Sequence, residues 1–149
     1  MTTLVYDHVN NIVAYDSRHI KDEGIIISDT LDKLKTIDNH RFLGCGKIGD
    51  INLLIHAYLN QDPPDTDNLK AILWSLEQGR VRRIGFCDGT LWVNTMDYSA
   101  TDGSGADFAL SALDHGKSAV EAVEYAMTRD PFTGGKVNAI HLNVEFKSS

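Results

Sequence analysis

The sequence opens with "MTTLVYD", in which a threonine follows the initiator methionine. Removal of Met1 would leave Thr2 with a free α-amine beside its hydroxyl, so that one residue supplies both a nucleophile and a base. The reference pKa of an α-amine is roughly 7.7 to 8.0, which suits a base that works near neutral pH. A Met-Thr start is also ordinary in soluble proteins, so the rest of the sequence must decide between these interpretations.

Short segments elsewhere in the chain carry charged, hydroxyl or glycine residues that could assist such a nucleophile. They are "AYDSR" with Asp16 and Arg18, "DKLKTIDNH" with Lys33, "GCGKIGD" with Gly46, "DGSGAD" with Ser104, and "RDPFTGGKV" with Asp130 and Thr133. Each has an ordinary structural explanation, such as a turn, a solvated strand residue or a sharp bend before a helix. "GCGKIGD" also lacks the G-x-x-x-x-G-K-[ST] spacing of a phosphate-binding loop, which disfavours a nucleotide site.

The elements that must position these residues begin with strands. Short segments rich in β-branched and aromatic residues, separated by Asn, Asp and Gly, predict an antiparallel meander that ends at Gly46. Ile51, Leu54 and Ile55 then recur at helical spacing and predict a helix over residues 47–60.

The second half of the chain alternates between the two kinds of element. "NLKAILWSLEQG" predicts a second helix that ends at Gly79, and "RVRRIGFCDGTLWVN" predicts a β-hairpin with its turn at Asp88-Gly89. "GADFALSALDHG" and "SAVEAVEYAMTRD" predict two further helices, and the second of them opens on a capping box of Ser118 and Glu121. "KVNAIHLNVEF" predicts a last strand.

Two helix pairs around antiparallel strands predict an α+β fold. We expect a four-layer αββα sandwich of two mostly antiparallel sheets, with a helix layer on each outer face. With 149 residues and no linker, repeat or low-complexity segment, the sequence predicts a single domain over residues 1–149.

The composition disfavours several classes of function. The net charge is -7, which argues against a nucleic-acid partner, and no apolar run is long enough to span a membrane. The two cysteines, Cys45 and Cys87, are far apart and the six histidines form no ligand pattern, so we expect no metal, no disulfide and no cofactor. A cytoplasmic location is predicted, with no secretory signal at the N-terminus.

Taken together and in order, these segments resemble the β-type subunits of the proteasome and, more closely in size and style, the bacterial proteasome-like peptidase HslV. In that family an N-terminal threonine is followed by an A-x-D-x-R type motif, here "AYDSR", and by a lysine, here in "KLKTIDNH". A Gly-rich turn then enters the first helix, here "GKIGD", and "GSGADFAL" and "RDPFTGGKV" match the later motifs. The resemblance extends from Thr2 to about His141.

The resemblance implies a role for each matching residue. Thr2 would be the nucleophile once Met1 is removed, and its own amine would be the general base. Lys33 would lie beside the Thr2 hydroxyl, Asp16 would pair with Lys33, and the backbone N–H of Gly46 would face the developing oxyanion. Three further residues would surround the α-amine and hold it in position: Ser104, Asp130 and Thr133.

The resemblance also implies an activity and an assembly. The leading hypothesis is a threonine-type endopeptidase that cleaves unfolded polypeptides inside a chamber built from its own subunits, as a homo-oligomeric ring or stacked rings. An ATP-dependent ring unfoldase would be its natural partner.

Two other functions remain open. The chain could be a catalytically inactive structural or regulatory subunit of the same fold, which retention of Met1 would favour because the Thr2 amine would then be blocked. It could instead be an N-terminal-nucleophile amidase for a small substrate, with a closed pocket and no chamber.

Overall fold

The computed structural model describes residues 2–142, which form a mixed α+β fold of antiparallel sheets and helices. The elements follow one another as β1 (Thr3–Asp7), β2 (Ile12–Tyr15), β3 (His19–Lys21), β4 (Ile25–Ser28), β5 (Lys35–Ile37), β6 (His40–Gly46), α1 (Ile48–Asn60), β7 (Ala71–Glu77), β8 (Arg80–Cys87), β9 (Thr90–Thr95), β10 (Ala100–Gly103), α2 (Ala106–Asp114), α3 (Ala119–Met127) and β11 (Asn138–His141).

The chain divides into two compact units. The first comprises the chain up to Lys33 and from Asp97 onward, and the second comprises Leu34–Met96. The single domain predicted over residues 1–149 stays a prediction.

The first unit contains a sheet with the strand order β10-β1-β2-β11 and a two-stranded ribbon of β3 and β4. Helix α2 packs against β1 and β10, and α3 packs against β1 and β2. Small side chains dominate this contact, since Ala109, Ala122 and Ala126 meet Val5 and Ala14 in the core. The segment that enters α2 and the segment that leaves α3 both contact the start of β1, through Ser104 and Gly105 and through Thr133.

The second unit is a five-stranded antiparallel meander in the order β5-β6-β7-β8-β9, with α1 packed across β6, β7 and β8. Its core contains Phe42 from β6, Leu54 and Ile55 from α1, and Leu73 and Ile84 from the adjoining strands. The apolar face predicted for residues 47–60 is confirmed, because Ile51, Leu54 and Ile55 are buried.

The helix predicted in "NLKAILWSLEQG" is wrong, because this segment forms strand β7. Residues 73–76 are consecutively buried, so both faces of the strand are covered and the apolar run carries no period that separates a strand from a helix. Gly79 does not end a helix. Gln78 and Gly79 both have positive φ, at 54° and 71°, as a tight turn between β7 and β8 requires. Two helix pairs were expected. Within residues 2–142 the chain instead has a single helix, α1, and one pair, α2 and α3.

Other local predictions are confirmed. The Asp88-Gly89 turn joins β8 to β9, with φ of 51° and 71°, and α3 begins at the predicted capping box. Helix α2 is present, although its buried residues are Ala109 and Ala112 while Phe108 is exposed. No helix within residues 2–142 is long and apolar enough to cross a membrane.

The capping box should contribute measurably to stability, because it satisfies two backbone N–H groups at the start of α3. This helix leads directly into the segment that contains Asp130. Ser118 Oγ accepts from the N–H of Glu121 at 3.1 Å, and Glu121 Oε1 accepts from the N–H of Ser118 at 3.0 Å. We expect Ser118→Ala to lower the free energy of unfolding by about 1 kcal/mol in urea titrations. Ser111→Ala, an exposed change within α2, is the matched control and should have little effect. An equal decrease in the free energy of unfolding in Ser118→Ala and Ser111→Ala would contradict the prediction.

Candidate active site

Asp16 is the buried centre of one group of site residues. Its Oδ1 accepts from Lys33 Nζ at 2.8 Å and from the backbone N–H of Thr3 at 3.1 Å, and its Oδ2 accepts from the N–H of Gly134 at 3.1 Å. Asp16 is fully buried, and the Lys33 side chain is 9% exposed. The predicted ion pair between Asp16 and Lys33 is confirmed. A carboxylate withdrawn from water needs several charged and neutral donors, and this one has three.

The pairing of β1 with β2 explains why Asp16 meets the start of the chain. Leu4 lies opposite Tyr15 in this antiparallel pair, so one step further along the ladder Thr3 lies opposite Asp16. Lys33 and Thr3 share one carboxylate oxygen, and the ammonium group therefore lies beside the first residues of β1.

Thr2 is buried and its main chain is held from both sides. Its carbonyl oxygen accepts from the N–H of Ser104 at 3.0 Å, and the N–H of the next residue is bonded to Asp16. A Cβ at Gly103 would overlap the Thr2 carbonyl oxygen, and the φ of Gly103 is 104°. Only glycine permits this approach.

Asp130 is the centre of a second group. Its Oδ2 accepts from Ser104 Oγ and from Thr133 Oγ1, each at 2.6 Å, and its Oδ1 accepts from the N–H of Phe132 at 3.0 Å. Burial alone would raise the pKa of Asp130, but the hydrogen bonds from Ser104, Thr133 and Phe132 outweigh it and lower the pKa below its ordinary value. Asp130 is therefore an anion at neutral pH.

Thr3 joins the two groups, a role that the sequence did not predict. Thr3 Oγ1 and Thr133 Oγ1 are 2.6 Å apart, and the N–H of Gly105 donates to Thr3 Oγ1 at 3.1 Å. Because the proton of Thr133 is directed to Asp130, Thr3 must be the donor to Thr133. The second threonine of "TT" was the available signal, but the pattern did not show that it faces a residue 130 positions away.

The predicted site residues are therefore distributed as follows. Asp16 and Lys33 lie in the first group, and Ser104, Asp130 and Thr133 form the second. Thr2 is bonded through its carbonyl to the N–H of Ser104 and precedes Thr3, which bonds to Asp16. All six residues belong to the first unit. Gly46 belongs to the second unit, and its role at an oxyanion stays a prediction. A local contact explains why position 46 is a glycine, because a Cβ there would overlap the carbonyl oxygen of Lys70, the residue before strand β7.

The site of the first unit links two charged groups through Thr3. The N–H of Thr3 bonds to the Asp16 carboxylate of the Asp16–Lys33 pair, and the Thr3 hydroxyl bonds to Thr133, which donates to the Asp130 carboxylate. Within residues 2–142, no group of three or more His, Cys, Asp or Glu side chains could hold a metal ion. The site can hold the main chain of Thr2 in a fixed orientation and bind hydrogen-bonding groups near it.

Comparison with known proteins identifies similar folds. No protein-family model matches the chain, and no curated protein matches it. A structure of Thiobacillus denitrificans BPH superposes with a TM-score of 0.66 and 15% identity, over 95% of this chain and 98% of that one. A structure of the same protein in complex with Epoxomicin gives a TM-score of 0.65 and 14% identity, over the same shares of the two chains. At these identities the likeness shows the fold alone.

The lowered pKa of Asp130 predicts a specific dependence of stability on pH. Because this pKa is lower in the folded chain than in the unfolded one, its stabilisation is complete above the ordinary value of 3.8 and is lost as the pH falls through the folded pKa. We expect Asp130→Asn to reduce the free energy of unfolding at neutral pH. The difference in free energy of unfolding between this variant and the wild type should shrink as the pH falls into the acid range, through the lowered pKa of Asp130.

Urea titrations across this range measure the difference. Asp107→Asn removes an acid from the surface of α2 and is the control for a general effect of charge. A difference between wild type and Asp130→Asn that stays constant with pH would contradict the assignment.

Proposed function

We propose that the chain is a threonine-type endopeptidase of the N-terminal-nucleophile kind, with Thr2 as nucleophile once Met1 is removed. The observation that carries the proposal is the fixing of the Thr2 main chain between the Asp16–Lys33 pair and the Ser104–Asp130–Thr133 group. A residue that needed only to begin a strand would not require two buried carboxylates beside it.

The reaction follows from placing an amine and a hydroxyl on one residue. The Thr2 α-amine takes the hydroxyl proton as Oγ1 attacks the substrate carbonyl, and a tetrahedral intermediate forms. The amine then returns the proton to the leaving amino group as the peptide bond breaks, which leaves an ester on Thr2. Water attacks this ester, the amine again accepts and returns a proton, and the acid product departs.

The neighbouring charges would adjust the base. A nearby ammonium group disfavours a second positive charge, so Lys33 would lower the pKa of the α-amine and increase its neutral fraction. Asp130, Ser104 and Thr133 would hold the amine in place, and the N–H of Gly46 would donate to the oxyanion. One such donor stabilises a transition state by about 3 kcal/mol.

The proposal extends to the architecture. We propose that the α+β fold is a four-layer αββα sandwich. The proposal is supported by the resemblance to proteasome-like peptidases and, within the first unit, by the layer of α2 and α3 packed on the β10-β1-β2-β11 sheet.

Self-assembly, confinement of unfolded polypeptide and an ATP-dependent ring unfoldase are proposed from the resemblance to proteasome-like peptidases. The exposed Ile25, Ile26 and Ile27 of β4 support self-association, because contiguous exposed apolar residues are typical of contact surfaces. The cytoplasmic location is likewise a proposal.

Covalent labelling tests the nucleophile directly. Thiobacillus denitrificans BPH, which has a similar fold, has a structure in complex with Epoxomicin, and this peptide epoxyketone is therefore a suitable probe. A hydroxyl can add to its ketone and an amine on the same residue can open its epoxide, so the adduct retains every atom of the reagent. We expect an intact mass that lacks Met1, one adduct per chain, and loss of both adduct and peptide hydrolysis in Thr2→Ala.

Thr66→Ala, an exposed threonine of the second unit, is the matched control and should label like the wild type. Labelling that persists in Thr2→Ala would contradict the proposed nucleophile. A mass that retains Met1 with no adduct would instead support the inactive structural or regulatory subunit.

Native mass measurement separates the remaining alternative. A chambered peptidase should have the mass of a closed oligomer of many chains, because confinement replaces specific recognition of the substrate. An active monomer that cleaves a small amide but no polypeptide would favour the amidase and contradict the chamber.

A further inference from the structure

The guanidinium group of Arg18 connects Asp29, which the proposed mechanism does not use, to the loop that contains Thr133. Its Nε and Nη2 donate to the two carboxylate oxygens of Asp29 at 2.8 and 3.0 Å, and its Nη1 donates to the Pro131 carbonyl at 3.0 Å. The first two bonds form a bidentate pair, which only the planar arginine fork can make while a third N–H reaches elsewhere.

The backbone around this pair holds the same loop at further points. The carbonyl oxygen of Asp29 accepts from Ser17 Oγ at 2.8 Å and from the N–H of Lys136 at 3.2 Å. The N–H of Ser17 donates to the Gly134 carbonyl at 3.1 Å. Residues 131–136 are thus tied at their beginning, middle and end.

Two adjacent glycines let the loop approach this closely. A Cβ at Gly134 would overlap the Arg18 guanidinium, and a Cβ at Gly135 would overlap the Asp29 carbonyl oxygen. Gly135 also has a φ of 78°. The "TGG" of "RDPFTGGKV" therefore fits the loop to the Arg18–Asp29 pair.

The loop carries two of the bonds on which the site depends. Thr133 donates to Asp130, and the N–H of Gly134 donates to Asp16. We propose that Arg18 and Asp29 form a positioning clamp that holds residues 131–136, and through them the Asp130 and Asp16 groups, in register with Thr2. This inference rests on the proposed function. Neither clamp residue is proposed to touch substrate.

The charges of the clamp are maintained by the pair itself. The hydrogen bond from Arg18 lowers the pKa of Asp29, and the hydrogen bond to Asp29 raises the pKa of Arg18. Both groups are therefore charged across the range in which the α-amine of Thr2 would titrate.

Release of the clamp should affect the base more than substrate binding. If the loop moves outward, Thr133 and Asp130 no longer hold the α-amine, and the rate of the chemical step falls while KM changes little. The pKa of the amine should also fall, because a nearby carboxylate stabilises the ammonium form. The acid limb of the pH profile should therefore move to lower pH.

The experiment compares Arg18→Gln, Arg18→Lys and Asp29→Asn with the wild type, in peptide hydrolysis and in the rate of epoxyketone labelling. We expect Arg18→Gln to lower kcat about tenfold to a hundredfold with KM nearly unchanged, since small misplacements at a reacting centre have effects of that size. Arg18→Lys keeps the charge but cannot serve both partners, and it should fall between Arg18→Gln and the wild type.

Arg82→Gln is the matched control. Arg82 also donates to a neighbour, Tyr58, at 3.1 Å and lies near Glu77, but it belongs to the second unit. Its loss should leave the shape of the pH profile unchanged. Asp29→Asn retains nearly the same shape as the native residue, so it keeps the inference testable if Arg18→Gln does not fold.

Amide hydrogen exchange of residues 132–136, which all carry a backbone N–H, gives a readout that does not depend on activity. Faster exchange in Arg18→Gln than in Arg82→Gln, together with the lower kcat and the shifted pH profile, supports the clamp. Unchanged exchange overturns the clamp alone, and so does faster exchange with an unchanged kcat and pH profile. A wild-type protein that neither labels nor cleaves overturns the proposed function, and the clamp's role in it falls as well.

Discussion

The burial of Asp16 is the constraint on which the rest of the first unit's site depends. A carboxylate without access to water must be matched by donors, and its three donors come from β1, from Lys33 and from the loop after α3. Removing one partner would leave a buried charge unpaired, which is far more costly than losing an exposed ion pair. Folding of this unit must therefore bring together β1, Lys33 and the loop after α3 around Asp16.

The second carboxylate extends the same logic. Asp130 collects the Ser104 and Thr133 hydroxyls, and Thr3 links that group back to Asp16 through its N–H and its hydroxyl. Since Thr3 immediately follows Thr2, both networks act on the residue that the proposal makes the nucleophile. The alanine-rich contact of α2 and α3 with the sheet brings the two loops close enough for this.

The sequence predicted best those features that depend on neighbours along the chain. The capping box of α3, the Asp88-Gly89 turn and the period of α1 are local, and all three are confirmed. The helix prediction fails at β7 because a strand buried on both faces shows no alternation of apolar and polar residues. In the site, the ordered motifs predicted the Asp16–Lys33 pair. The bonds from Thr3 to Thr133 and from Gly134 to Asp16 join residues 130 and 118 positions apart and leave no local pattern.

The role of Thr2 as nucleophile is best tested by a crystal structure of the purified protein after reaction with Epoxomicin. We expect continuous density from both the nitrogen and the Oγ1 of Thr2 to the reagent, with Asp16 still bonded to Lys33 and Gly134. Reagent attached to any other residue, or a Thr2 that is still joined to Met1 and unreacted, would contradict it.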